Sequence, residues 1–278
     1  MQTIGMALQK RIGRFQYHVD RLASLLMANR TSGRRVIFLH IPKCAGSSIN
    51  LLFKCYYGSG RSERLLAIND RERGPHYHEK IMRARDALFV HGHFGYETLE
   101  KIRDDAFVFT VLRDPFERLR STYGHLRTRT KGNPLKERVL EMPLVEFLTS
   151  REEDIMQWTD NVMARMLTAR FDLPSVYGMD RGKLAEIAIS HLKIFDYVGF
   201  VDSFDSNLSR IAAVAGIPAP RRTIRENVTT NKAGVTPPQQ SVAPFDIAAK
   251  QLALPRVEAD LALYAAALLS RPSTEWTD

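Results

Sequence analysis

Three short stretches of this chain carry residue types that can move a charged group. The first is His40-Ile41-Pro42-Lys43-Cys44-Ala45-Gly46-Ser47-Ser48, directly after an apolar run. Lys43 offers a cation, Gly46 lets the backbone approach an anion closely, and Ser47 and Ser48 offer hydroxyl donors. The second is Thr110-Val111-Leu112-Arg113-Asp114-Pro115, with Ser121 further along. A guanidinium there can hold a phosphate through two parallel hydrogen bonds. The third is His91-Gly92-His93. A neutral imidazole accepts a proton near neutral pH, which is what activating a hydroxyl requires. Metal binding is the rival reading of this pair, but two histidines with no evident third ligand are a weak metal signal.

The surrounding pattern says what must position these groups. Arg35 to His40 reads as a buried strand and Gly46 to Tyr57 as a helix with Ile49, Leu52 and Phe53 inward. Ala87 to His91 reads as a second strand, Tyr96 to Arg103 as a short helix, Ala106 to Leu112 as a third strand and Phe116 to Thr128 as a helix. Asp114 can cap that helix, Pro115 fits its first position, and Glu117 falls three after the cap. Strand then helix, repeated, predicts an α/β layer with a parallel sheet. Lys43 and Arg113 would then lie at the carboxyl ends of strands, where open parallel sheets bind ligands. The helix starts beside them add backbone N–H groups and positive potential. The Walker order Gly-x-x-x-x-Gly-Lys-Ser/Thr is absent, because here the lysine precedes the glycine and serines.

Gly58 to Arg85 reads as a polar surface excursion with some helix, and Met142 to Leu192 as helical with breaks near Pro174 and Gly178. Tyr197 to Val201 is a short strand, Asn207 to Ala215 a helix, Pro218 to Pro238 a basic loop, and Leu254 to Leu269 a closing helix. Arg118 reads as an ion-pair partner of a neighbour.

Composition bounds the alternatives. The chain has 278 residues, 44% hydrophobic and 26% charged, as in an ordinary globular protein. No linker divides it, so a single domain is expected: residues 1–33 as an N-terminal helical extension and 34–278 as the core. Lys and Arg number 40 against 31 Asp and Glu, a net charge of +9 that favours anionic partners. The charges are scattered rather than set in a stripe with interleaved aromatics, which speaks against a nucleic-acid binder. Two cysteines, Cys44 and Cys55, make neither a disulfide framework nor a metal set. No apolar stretch is long enough for a transmembrane helix. The N-terminal segment reads as an amphipathic helix docked on the domain; the alternative is weak contact with a membrane surface.

At the lysine loop the sequence resembles the 5′-phosphosulfate loop of sulfotransferases that use 3′-phosphoadenosine 5′-phosphosulfate (PAPS). It looks closest to the carbohydrate enzymes, in which a Pro-Lys-x-x-x-Ser pattern follows the first strand. The resemblance implies a P-loop-NTPase-like three-layer fold, a central parallel sheet flanked by helices. It implies that Lys43 and the backbone of Cys44, Ala45, Gly46, Ser47 and Ser48 grip the 5′-phosphosulfate. Arg113 and Ser121, in the family's strand, Arg-Asp-Pro, Arg, Ser pattern, would bind the 3′-phosphate. Phe89-Val90-His91-Gly92-His93-Phe94 is similar to the uronyl 2-O-sulfotransferase group, where both histidines are implicated in catalysis. One of His91 and His93 would be the general base, and the residues leave open which. A late loop in the family closes over the nucleotide, which here would bring Asn227, Thr229 and Lys232 to the donor. PAPS would be the donor, no metal would be required, and the acceptor would be a hydroxyl of a carbohydrate or glycoconjugate. The basic stretches Arg61 to Arg85 and Arg221 to Lys232 are either a solvated face, the commoner case, or a sign that this acceptor is acidic. The family's usual membrane anchor is missing, so a cytoplasmic, bacterial enzyme is expected. A P-loop-type kinase and a non-catalytic polyanion binder are the alternatives.

Overall fold

A computed structural model describes residues 34–66, 75–128, 132–169, 176, 178–217 and 242–270. Its centre is a five-stranded sheet of β1 (Val36–Leu39), β2 (Ser62–Leu66), β3 (Phe89–His93), β4 (Phe107–Leu112) and β5 (Tyr197–Phe200). The order is β2-β3-β1-β4-β5 and every pair is parallel. This is the expected α/β fold. The chain leaves β1 toward one edge of the sheet and leaves β4 toward the other. The crevice between the carboxyl ends of β1 and β4 is therefore the topological switch point, the place where such sheets take ligands.

Both faces of the central strands are covered, which is why they read as continuous apolar runs rather than alternating ones. Val36, Phe38, Phe89, Phe107, Phe109 and Val111 pack on α1 (Gly46–Tyr57) and α10 (Phe204–Val214). Ile37, Leu39, Val90, Val108 and Leu112 face α2 (Pro75–Asp86), α3 (Tyr96–Ile102), α8 (Val162–Thr168), α9 (Arg181–Ser190) and α11 (Ile247–Leu269). A third cluster joins α4 (Pro115–Leu126), α5 (Pro134–Leu140), α6 (Leu144–Thr149) and α7 (Glu153–Thr159) to the first half of α11. Burying each of the aromatic side chains in these layers contributes about 2–3 kcal/mol.

Two elements differ from the sequence expectation. β2 lies in the stretch read as a surface excursion. Its sequence, Ser-Glu-Arg-Leu-Leu, is charged because it forms a sheet edge, where charge discourages pairing with other chains. The last helix begins at Ile247, not Leu254, and runs through Pro255. A proline inside a helix removes one backbone bond and pushes the turn open. Asn161 fills the gap. Its backbone N–H donates to the carbonyl of Arg256 (2.7 Å) and its amide nitrogen to that of Pro255 (3.1 Å). Its Oδ1 accepts from the N–H groups of Ala259 (2.8 Å) and Asp260 (3.2 Å). One residue thus pairs four backbone groups of the opened turn, and it is itself held in the left-handed region at φ 43°.

Candidate active site

The loop after β1 is strained where it turns. Lys43 and Ala45 both have positive φ, 69° and 57°, a conformation that costs a residue with a Cβ of order 1 kcal/mol or more. Ala45 occupies the N-cap of α1 but has no side chain to accept from its first N–H groups, and the first turn holds no acid. That helix start therefore presents donors and positive potential to an anion. Ser47 is half-buried and Ser48 buried. The Cys44 thiol points inward, is fully buried, and burial pushes its pKa up to about 12, so it is a packing group and not a nucleophile. The Lys43 pKa is lowered to about 8, first by burial and then by the nearby cations Arg113 and Lys136. This crowding of positive charge would be relieved by an anionic ligand.

Arg113 follows β4 as the sequence implies. Asp114 caps α4 by accepting from the N–H of Glu117 (2.9 Å), and Pro115 holds the first helical position. The Arg113 guanidinium donates to the backbone carbonyl of Lys43 (3.1 Å) and lies 3.7 Å from the carboxylate of Glu117, which also pairs with Arg120. Glu117, Ser121 and His125 succeed one another at four-residue spacing along one ridge of α4. Arg118 turns away from this ridge. It is fully buried, 3.8 Å from Asp260 and within reach of the carbonyls of Trp158 and Thr159. The neighbour expected as its ion-pair partner is not the one it meets; the buried Asp260, far away in sequence, takes that place.

The two histidines of β3 are not equivalent. Gly92 between them has φ 147°, and a Cβ there would lie 1.8 Å from the carbonyl oxygen of Leu65 on β2, so only glycine fits. His91 stacks on Phe89 (5.0 Å between centroids), is 2% exposed, and neither ring nitrogen has a hydrogen-bond partner. Its pKa is lowered to about 3, chiefly by burial. His93 is half-buried, and its Nδ1 lies 2.6 Å from the carbonyl oxygen of His40. A carbonyl only accepts, so Nδ1 carries the proton and Nε2 keeps the lone pair. Its pKa is lowered to about 4 by burial, with Arg64 and Lys43 acting in the same direction and the bond to His40 opposing.

Sequence reasoning missed two further histidines. His40, in the lysine loop itself, packs its ring 4.4 Å from that of His93 and stacks on Phe38. His125 lies within the field of Lys43, Lys136 and His93, and burial above all lowers its pKa to about 3. Lys136, on α5, donates to the Thr128 hydroxyl (3.1 Å). The one available signal was the spacing of His125, four residues after Ser121. Asn227, Thr229 and Lys232 lie outside the described residues, as does the N-terminal extension. Among the described residues no three His, Cys, Asp or Glu side chains come together as a metal site, and no helix is long and apolar enough to cross a membrane.

The parallel α/β sheet thus carries cationic groups, Lys43 and Arg113, on both sides of the switch point where such sheets take ligands. The sequence model of the sulfotransferase family matches residues 27–243, and the chain belongs to that family. No curated protein matches it.

Proposed function

We propose that this sulfotransferase transfers a sulfuryl group from PAPS to a hydroxyl of a carbohydrate or glycoconjugate, with His93 as general base and residues 34–278 working as one catalytic domain. The observation that carries this reading is the joining of the two cationic strand ends, Lys43 after β1 and Arg113 after β4, across the switch point. A donor phosphorylated at both its 3′ and 5′ positions needs two such sites, whereas a simple nucleotide would not need the second. The His91-Gly92-His93 segment supports the narrower likeness to uronyl 2-O-sulfotransferases.

When bound, PAPS would supply the sulfuryl group on a good phosphate leaving group. Lys43 and the N-terminus of α1 would face its 5′ end and stabilise the charge that develops on the leaving phosphate oxygen. Arg113, in the loop after β4, and Ser121, on α4, would hold the 3′-phosphate. His93 Nε2 takes the acceptor's proton while the acceptor oxygen bonds to sulfur and the bond from sulfur to the phosphate oxygen breaks. His93 is neutral at pH 7 and thus ready to accept, and the anionic donor beside it raises its basicity. His91, with both ring nitrogens enclosed, supports the strand and does not meet the acceptor.

Calorimetry with 3′-phosphoadenosine 5′-phosphate (PAP), AMP and ATP, without added metal, tests this. Preference for PAP over both is the expected result; a preference for magnesium-bound ATP would overturn it.

A further inference from the structure

We propose that His40 is a positioning residue whose ring sets the distance between the proton acceptor on β3 and the anion-facing start of α1. The inference rests on the reading of His93 as the base. Its grounds are geometric. The His40 carbonyl accepts from His93 Nδ1, and the two rings lie 4.4 Å apart at 43°. On its other side the ring lies against Gly46, where an added Cβ would meet His40 Cδ2 and Nε2 at 2.1 Å. Phe38 supports the ring from the sheet at 5.2 Å and 14°. Asn50, one turn into α1, brings its amide nitrogen to 3.3 Å from His40 Nδ1. The same helix therefore holds the ring twice, by packing at Gly46 and by a hydrogen bond at Asn50. Movement of α1 and movement of His93 are coupled through one imidazole.

The choice of histidine over phenylalanine follows from Asn50. A phenyl ring could stack on Phe38 equally well but would give Asn50 no ring nitrogen, and one end of the spacer would come loose. The position also needs a neutral ring, because Nδ1 can accept from Asn50 only while unprotonated. Burial first, then His93, His91, Arg64 and Lys43, hold His40 well below its ordinary pKa. The titratable and charged groups facing His93 itself are His40, His91, Lys43, Arg64 and His125.

The test uses the full chain and His40→Ala, His40→Phe and Asn50→Leu variants. Three readouts are taken: NMR titration of the His93 imidazole, PAP calorimetry, and PAPS turnover in the presence of a uronic-acid polysaccharide. With His40→Ala, which keeps the backbone carbonyl that fixes the Nδ1–H tautomer, His93 should titrate at least about one unit higher as water reaches its ring. His40→Phe and Asn50→Leu keep the core filled and should lower kcat by about tenfold with little change in KM for PAPS. A His93 titration and kcat unchanged in these two variants would overturn the role, even if His40→Ala does not fold. Failure of the wild type to turn over PAPS would instead count against the proposed activity, and the His93 titration would still decide the role of His40.

Discussion

The guanidinium of Arg113 donates to the backbone carbonyl of Lys43 at 3.1 Å, tying the loop after β4 to the loop after β1. One residue thus serves both candidate phosphate sites, and Arg113→Lys should separate the two duties. A lysine is a point charge without the planar fork. We expect affinity for PAP to fall on the order of tenfold or more by calorimetry, with the preference for PAP over AMP collapsing. An equal loss for both nucleotides would assign Arg113 to holding the lysine loop alone.

Lys43→Ala should lower turnover by on the order of a hundredfold or more, because the cation proposed to face the leaving group is lost while the backbone donors of α1 remain. Initial-rate measurement at saturating PAPS decides it, and wild-type turnover would remove Lys43 from the mechanism.

The contrast between the two β3 histidines makes a paired prediction. His93→Ala should cost kcat about a hundredfold or more. His91→Phe should leave turnover near wild type and raise the melting temperature, since two buried nitrogens without partners are replaced by carbon. The reverse ranking would give the base role to His91.

Stability should fall on acidification. His91, His93 and His125 have folded pKa values of about 3, 4 and 3, below the ordinary histidine value of about 6.5. Between those limits the unfolded chain binds more protons, so their contribution is present above about pH 6.5 and is lost as pH falls toward 4. Asp260, raised to about 6 by burial, acts in the opposite sense over part of the same window, but it is one group against four, since burial also holds His40 well below its ordinary pKa. Thermal melts should show a midpoint dropping steadily from pH 7 to pH 4.5; a flat profile would contradict the burial of these rings. For kcat/KM, the acid limb should follow His93 near pH 4 and the alkaline limb Lys43 near pH 8.

Asn161→Leu should destabilise the fold by about 2–4 kcal/mol, because the N–H groups of Ala259 and Asp260 and the carbonyl of Pro255 lose their side-chain partner together. Denaturant unfolding measures this. PAP affinity of the folded fraction should be retained, since Asn161 does not line the site.

The parts of the site legible in the sequence are those set by local rules. Asp114-Pro115 announces the start of α4, and β1 and β4 are apolar runs because both their faces are covered. Lys43 and Arg113 then follow at strand ends. What stayed hidden depends on contacts between distant residues. β2 looks polar because it is an edge. Arg118 looks like a surface cation but is buried against Asp260. His40 was in plain view, yet its value comes from Asn50, Gly46 and His93, which only the fold assembles. The difference between His91 and His93 likewise comes from burial, since both sit on the same strand one residue apart.

The repair of α11 by Asn161 has a consequence for how the chain is made. The residues it joins are 94 to 99 positions apart, so these bonds cannot form until residue 260 has been synthesised. At ribosomal speeds of about 5–20 residues per second, that leaves an interval of several seconds in which the sheet can assemble while the middle helices wait. During this interval the nascent protein exposes apolar surface that α11 will later cover. It would be a natural client for a chaperone acting during synthesis, and slowing translation between residues 161 and 260 should lower its yield more than slowing it elsewhere.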